Sequence, residues 1–191
     1  MSSVGQSTRG RASSKDGRRE RGASMVEFAL IAPLFFLILF GGIEMGLMFR
    51  SHLAVEDMSR NAARVASIQR DDPDADIAIL SVIDQLTVGL QGEVDKVIIF
   101  HAPTLDDGLP PSCIDANGES ISIANLCNSY GGNFREVISG AVGQETGLTA
   151  AERQQWMNLG IYIEYTHPFA TGFFDTIELS AEAVEVVELD I

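Results

Sequence analysis

Residues 25–49 read MVEFALIAPLFFLILFGGIEMGLMF, and this apolar stretch decides the architecture of the chain. The sixteen residues from Phe28 to Ile43 carry no charge. As a helix, residues 28–49 would extend ~33 Å, about the thickness of a bilayer core. A buried core helix of a soluble protein is the alternative interpretation. The length, the apolarity on every face and the basic flank favour a membrane span instead.

The two ends of the chain differ strongly in charge. The 191-residue chain has 13 Lys and Arg and 27 Asp and Glu, a formal net charge of −14, yet residues 1–22 carry six basic groups against two acidic ones. Because the basic flank of a span stays in the cytoplasm, we expect residues 1–22 to be cytoplasmic and residues 50–191 to be exported. The acidic remainder argues against nucleic acid as a partner, since phosphate binding needs a basic surface.

A cleaved secretory signal is the competing interpretation of the same segment. The apolar run is too long for such a signal, and no small-residue cleavage site follows it cleanly. A lipoprotein is disfavoured because no Cys follows a small-residue box. Residues 1–22 hold almost no apolar side chain, so we predict that they form a disordered leader.

Glu27 is the unusual residue of the apolar run, because a carboxylate close to hydrocarbon is costly and such groups tend to be functional. If the chain were cut after Gly22, Ala23 would be the first residue, Glu27 the fifth and Phe28 the sixth. The new ammonium group of Ala23 could pair with Glu27 of its own or a neighbouring chain and fix the register between helices. Alternatively, Glu27 only marks the membrane interface, and Gly22 is one of several glycines typical of a disordered segment.

This arrangement resembles the class III signal of type IV pilins, in which a basic leader ends in Gly and the following helix carries Glu at its fifth position. Residues 21–70 also resemble the N-terminal region of TadE-like proteins. The segments that carry the resemblance are GASMVEFA at 22–29, Pro33 early in the helix, FGGIEMG at 40–46 and NAARVA at 61–66.

The resemblance to TadE-like proteins implies a function and a set of partners. The protein would be a pseudopilin of a tight-adherence pilus or a related secretion machine, clipped on the cytoplasmic face by a prepilin peptidase. Its implied partners are the membrane, a Flp-type major pilin, a companion TadF-like subunit, an inner-membrane assembly platform and a cytoplasmic ATPase.

Four further residues of the anchor helix are candidates for assembly. Pro33 removes a backbone hydrogen bond, so we expect a kink there. Gly42 and Gly46 form a G-x-x-x-G pair that lets helices approach closely. Lipid-facing residues without a packing role explain them equally well. Glu44 is either a carboxylate that snorkels to the interface or one that pairs with Arg50 or with another subunit.

We predict an α+β fold, with an extended pilin-like helix over residues 23–70 and a globular exported domain over residues 71–191. Pro73 ends the first helix, and a second apolar stripe follows over residues 77–90. The remaining predicted elements are a short helix from Thr149 through Leu159 and antiparallel strands over 94–100, 161–165 and 177–189. We predict that the polar segment between Phe100 and Phe134 is a surface loop, and that Asp71, Asp72, Asp74 and Asp76 cap a helix junction.

The two cysteines, Cys113 and Cys127, both lie on the side that we expect to be exported. Asn117-Gly118 supplies a turn between them, and an oxidising compartment favours a disulfide. A zinc site would need further ligands nearby, and the three histidines are scattered along the chain. We expect His101 and His167 to be surface residues near strand ends.

No sequence motif predicts an active site, a metal or a cofactor. The chain lacks a G-x-S-x-G elbow, a glycine-rich phosphate loop and an H-E-x-x-H pair. Three hypotheses remain, of which a pseudopilin is the first. The second is an uncleaved single-pass membrane protein whose extracytoplasmic domain binds a ligand, and the third is a tethered hydrolase.

Overall fold

A long helix and a four-stranded sheet make up most of the computed structural model, which describes residues 16–69, 72–140, 149–153, 155, 158–172 and 175–186. The helices are α1 (Asp16–Ile68), α2 (Ala75–Thr87), α3 (Phe134–Ile138) and α4 (Ala150–Arg153), with a 3₁₀ turn at Pro111–Cys113. The strands are β1 (Glu93–His101), β2 (Cys127–Gly131), β3 (Asn158–Pro168) and β4 (Thr176–Val186). The predicted α+β class is confirmed.

Two compact units divide the chain, Met1–Ile43 and Glu44–Ile191. Helix α1 begins at Asp16, so the last residues of the predicted leader are helical rather than disordered. The rest of the leader, residues 1–15, lies outside the described residues. The second unit includes the C-terminal half of α1 as well as the sheet, and we call it the exported domain after the orientation that the sequence predicts.

The strands follow the order β2-β1-β3-β4, and each neighbouring pair is antiparallel. Strand β1 lies in the interior of the sheet, where Phe100 pairs with Cys127 on one side and Gly160 on the other. A Cβ atom on Gly160 would lie 2.2 Å from the Phe100 ring, so only glycine leaves room for that ring. Residues 97–100 are buried without interruption, which is the pattern of a strand covered on both faces.

One face of the sheet packs on the helices. Helix α1 presents small or slender side chains to it, including the buried Val55, Met58, Ala62 and Ala66. Their spacing of three or four residues places them on one side of α1. They join Ile79, Leu80 and Ile83 of α2 and the buried residues of β1 and β3 in the main core.

The opposite face of the sheet is covered by the segment between β1 and β2. Ile98 and Phe100 pack there against Ala102, Cys113 and Cys127. The predicted surface loop between Phe100 and Phe134 is therefore wrong in part, because it contains the edge strand β2 and a second small core. The local sequence is polar, and only the pairing with β1 identifies it as a strand.

The helix predicted from Thr149 through Leu159 is too long. The capping box is present, since the hydroxyl and backbone N–H of Thr149 both donate to Glu152. The helix ends at Arg153, however, and Leu159 is a buried residue of β3. Pairing with β1 and β4 supplies Leu159 with hydrogen bonds that a helix would otherwise provide. Of the strand predicted over 177–189, residues 187–189 lie outside the described residues.

Candidate processing and assembly segment

The candidate processing residues lie on the exposed N-terminal part of α1. Gly22, Ala23, Glu27 and Phe28 are all helical and exposed, and no atom lies within 4 Å of a Cβ built on Gly22. The peptide bond after Gly22 is thus uncrowded by the described part of the chain. Its cleavage and the assembly role of Glu27 stay predictions.

The apolar side chains that follow are exposed to an extent that a soluble domain does not tolerate. Phe28 is 68% exposed, Leu30 75% and Leu37 70%. Among the described residues, one helix is long and apolar enough to cross a membrane, and none of its most apolar window is buried inside the protein. That exposure argues against the buried core helix considered above. A surface of this kind needs lipid or another subunit to cover it.

The remaining assembly candidates of this segment are exposed as well. Pro33 lies inside a helix that continues through it, so the predicted kink stays a prediction. Gly42 and Gly46 are exposed, and nothing lies within 4 Å of a Cβ built on either. Their surface is open to a neighbouring helix or to lipid. Close helix packing and simple exposure to lipid therefore both remain as interpretations of the two glycines.

Glu44 is buried, in contrast to these exposed neighbours, with 2% of its surface exposed. Its carboxylate accepts hydrogen bonds from two consecutive backbone N–H groups in the β3–β4 turn, those of Ala170 at 3.1 Å and Thr171 at 2.5 Å. Neither snorkelling nor pairing with Arg50 describes this position. Glu44, the first residue of the exported domain, is instead hydrogen-bonded to the β3–β4 turn of the same chain. A role for Glu44 between subunits stays a prediction.

A second buried contact between α1 and the end of β3 lies two helical turns further along. Ser51 Oγ is 3.1 Å from His167 Nδ1, and both residues are buried. The expectation that His167 is a surface residue is wrong, because Ser51 and the edge of the Phe169 ring enclose it. Tyr165, two residues earlier in β3, accepts a hydrogen bond from the backbone N–H of Gly92.

Sequence reasoning missed a buried ionic cluster around Asp76. Its carboxylate accepts hydrogen bonds from Arg153, from Asn128 at 2.6 Å and from Tyr130 at 2.5 Å. Asp76 is therefore a core residue that joins α2 to α4 and β2, and not a helix cap. Asp72 does act locally, accepting the backbone N–H of Asp74. Asp76 lies three and four residues before the apolar Ile79 and Leu80, and this helical spacing is a sequence signal that could have placed it on the buried face of α2.

The predicted disulfide between Cys113 and Cys127 is confirmed. It fastens the 3₁₀ turn to the edge strand β2, and Asn117 and Gly118 lie in the turn between the two cysteines. Asp115 organises that turn, since its carboxylate accepts the backbone N–H groups of Glu119 and Asn117.

Several titratable groups of the exported domain are shifted by their surroundings. The backbone N–H groups of Glu119 and Asn117 lower the pKa of Asp115. Burial lowers the pKa of His101 because it disfavours the imidazolium. Burial also raises the pKa of Tyr165, although hydrogen bonds with Gly92 and Ser51 oppose that shift.

The model of the family described as TadE-like protein matches residues 22–64. The N-terminal helix is TadE-like.

The TadE-like match begins at Gly22 and ends inside the exported domain, four residues before the end of α1. It confirms the resemblance carried by the N-terminal motifs, and it covers every candidate processing and assembly residue from Gly22 to Gly46. The TadE-like family is a family of pilus-associated structural proteins rather than of enzymes, and its match and the apolar helix together fit a membrane protein. Searches of curated proteins and of solved structures gave no match.

Proposed function

We propose that this protein is a pilin-like subunit, a pseudopilin, of a tight-adherence type IV pilus or a related secretion assembly. In this proposal the N-terminus is cytoplasmic, the domain from Glu44 onward is exported, and a prepilin peptidase cuts after Gly22. The observation that carries the proposal is the TadE-like match, which starts at Gly22 and runs along an exposed apolar helix with a carboxylate at Glu27.

The local structure supports cleavage at this place. The Gly22–Ala23 bond is helical, and a protease needs an extended strand of substrate. Glycine in a helix costs about 1 kcal/mol relative to alanine, so the helix opens more easily at Gly22 than at its neighbours. The apolar helix stays with the mature subunit because it lies wholly after the cut.

Cleavage also explains why a carboxylate is retained in the apolar helix. The new α-ammonium group of Ala23 provides a cation at the same end of the helix as Glu27. In a low-dielectric surrounding such a pair is far stronger than in water. Pairing between subunits would fix how far one helix is shifted along the next, which is the information that an ordered assembly needs.

The domain that begins at Glu44 supplies the surface of the assembled subunit in this proposal. Its partners would be a Flp-type major pilin, a TadF-like subunit and the inner-membrane assembly platform, with the prepilin peptidase as processing enzyme. Orientation follows from the basic residues before Gly22, which stay on the cytoplasmic side.

Intact mass measurement of the membrane-extracted protein tests the proposal. The full chain is produced with and without a prepilin peptidase, and the expected product with the peptidase begins at Ala23. Gly22→Val blocks clipping because its side chain does not fit an extended groove built for glycine. Gly17→Val, with the same substitution five residues earlier in the leader, is the matched control and is clipped normally.

Retention of the intact leader in the presence of an active peptidase would overturn the proposal. The chain would then be an uncleaved single-pass protein with an extracytoplasmic ligand-binding domain. Clipping of Gly22→Val to the same extent as the wild type would equally contradict the assigned site.

A further inference from the structure

Within the described part of residues 44–186, Arg50 is the one Lys or Arg that has no ion pair. Among the described residues 44–186, every other Lys or Arg lies within 4 Å of a carboxylate. The pairs are Arg60 with Glu56, Arg64 with Glu185, Lys96 with Glu164, Arg135 with Asp84 and Arg153 with Asp76. In a domain with so many acidic groups, a cation left without a carboxylate is available for another anion.

The position of Arg50 on α1 points to the kind of anion. Between Glu27 and Arg50 the only charged residue is Glu44, which is buried against Ala170 and Thr171. Met45 and Phe49, each 59% exposed, continue the apolar surface up to Arg50. Arg50 is thus the first exposed charge at the end of the apolar surface. In a membrane-spanning helix this is the level of the lipid headgroups.

A small cavity of about 40 Å³ lies beside Arg50. Its walls come from α1 through Leu47, Arg50 and Ser51, from the α2–β1 connection at 89–91 and from His167 at the end of β3. A water molecule needs roughly 10–15 Å³ measured in this way, so the cavity holds roughly three oxygen-sized groups.

His167 gives this cavity a second polar group. Its Nδ1 faces Ser51 Oγ, whereas its buried Nε2 has no hydrogen-bond partner among the described residues. If the Ser51 hydroxyl donates to Nδ1, the proton of the neutral ring lies on Nε2, an assignment inferred from this one hydrogen bond. Buried donors are rarely left unpaired, so an acceptor is expected there.

We propose that the cavity beside Arg50 and His167 binds the phosphate of a phospholipid headgroup. The guanidinium of Arg50 supplies the charge, and the imidazole of His167 supplies a donor. A headgroup phosphate is favoured because Arg50 lies at the level of the headgroups and because a phosphodiester presents two free oxygens, one for the guanidinium of Arg50 and one for the imidazole of His167. The carboxylate of Glu44 does not compete for Arg50, since it is buried and accepts the backbone N–H groups of Ala170 and Thr171.

This site would set the depth of the exported domain at the membrane surface. The inference rests on the insertion of α1 into a membrane, as in the proposed function, but not on cleavage after Gly22 or on assembly. Lipid binding is measured equally well on the clipped and the intact chain. Its failure therefore leaves the processing proposal untouched, and a failure of processing leaves lipid binding untouched.

Native mass spectrometry of the full chain in phosphate-free detergent tests the inference. Dioleoylphosphatidylglycerol is the probe, and dioleoylglycerol, which lacks the phosphate, is its matched lipid. We expect one tightly bound phosphatidylglycerol per chain and affinity for it that falls about tenfold or more in Arg50→Gln, as for the loss of a charge-assisted contact. Arg60→Gln, an exposed cation on the same helix, is the control and binds as the wild type does.

The imidazole of His167 provides a second readout that does not depend on charge alone. In ¹⁵N-labelled protein, addition of phosphatidylglycerol should shift the Nε2 resonance of His167, and Arg50→Gln should abolish the shift at the same lipid concentration. His52, which lies two residues from Arg50 and contacts Glu56, should not respond in this way.

Three results would overturn the inference. Equal binding of dioleoylglycerol would show that the acyl chains alone are recognised. Equal losses in Arg50→Gln and Arg60→Gln would show unspecific charge attraction. Displacement of the lipid by inorganic phosphate at millimolar concentration would show that the cavity takes a free anion rather than a headgroup.

Discussion

The backbone N–H of Thr171 donates a 2.5 Å hydrogen bond to the carboxylate of Glu44, which lies 127 positions earlier in the chain. The N–H of Ala170 donates to the other oxygen of the same carboxylate. The first residue of the exported domain thereby holds the turn between its last two strands. Since this carboxylate is already satisfied within its own chain, Glu27 is the better candidate for pairing with another subunit.

Glu44→Ala should loosen the β3–β4 turn without unfolding the sheet. Loss of a charged acceptor frees two backbone donors, so amide hydrogen exchange at Ala170 and Thr171 should accelerate about tenfold. Hydrogen-exchange mass spectrometry of the full chain measures this. Glu56→Ala is the control, because Glu56 lies on the same helix but pairs, among the described residues, only with the side chains of His52 and Arg60. Equal acceleration in both variants would contradict the prediction.

Glu27→Gln should separate processing from assembly. Clipping after Gly22 should continue, because the cut lies five residues away, whereas loss of the charge removes the partner of the Ala23 ammonium. Intact mass reports clipping, and co-purification with the other pilin-like subunits reports assembly. Unchanged co-purification would show that the carboxylate is dispensable; Glu56→Gln should leave both readouts unaltered.

Asp76→Ala should be among the most destabilising single changes in the exported domain. It leaves the buried guanidinium of Arg153 unpaired and removes the acceptor of Asn128 and Tyr130, at a cost of about 3–5 kcal/mol. Chemical denaturation followed by fluorescence measures the free energy of unfolding.

Asp84→Ala is the matched control for Asp76→Ala on the same helix. The side chains of Asp84 and Arg135 are 40% and 58% exposed, so loss of this pair should cost less than about 1 kcal/mol. Similar losses in the two variants would show that burial does not set the strength of these ion pairs.

Reduction of the Cys113–Cys127 disulfide should destabilise the exported domain by about 3 kcal/mol, the value expected for a loop of this length. The edge strand β2 should loosen first, since Cys127 is its first residue. Denaturation with and without a reducing agent measures the effect. The Cys113→Ala/Cys127→Ala double variant should have the same denaturation midpoint as the reduced protein, with and without reducing agent. An unchanged midpoint in the reduced wild type would contradict the prediction.

The carboxylate of Asp115 should contribute to stability only above its folded-state pKa. Backbone N–H groups of Glu119 and Asn117 stabilise its charged form, which lowers its pKa below 3.8. That contribution is present at and above the ordinary value and is lost as the pH falls through the lower, folded-state pKa. The carboxyl ¹³C shift of Asp115, followed between pH 2 and 6, should show a midpoint below 3.8. A midpoint above 3.8 would contradict the prediction, and Asp115→Asn should reduce the loss of stability on acidification.

Local patterns in the sequence were sufficient to predict the elements whose signals are local. The uninterrupted apolar run before Glu44 indicated the membrane-compatible helix, and Val94–Phe100 indicated the interior strand β1. The disulfide followed from two cysteines and an intervening turn. In each case the residues that make the element are near one another in the chain, so periodicity and composition are informative.

The sequence did not indicate β2, the burial of His167 or the Asp76 cluster, because each depends on partners far away in the chain. Strand β2 is polar and forms because β1 offers an unpaired edge. His167 alternates with the half-buried Thr166 and Pro168 like any strand residue, and only the approach of Ser51 and Phe169 encloses it. Asp76 looks like a capping residue until Arg153 is brought to it.

The sequence by itself determined that an acidic domain follows an apolar, basic-flanked helix. The charge and the hydropathy of a segment depend only on which residues it contains, and not on their contacts. Only the tertiary structure decided which carboxylates are free. Glu27 stays exposed on the apolar helix, whereas Glu44 is buried and hydrogen-bonded to the backbone of a turn more than a hundred residues away. The physical reason is that a hydrogen bond depends on distance in space, which the local pattern around Glu44 does not contain.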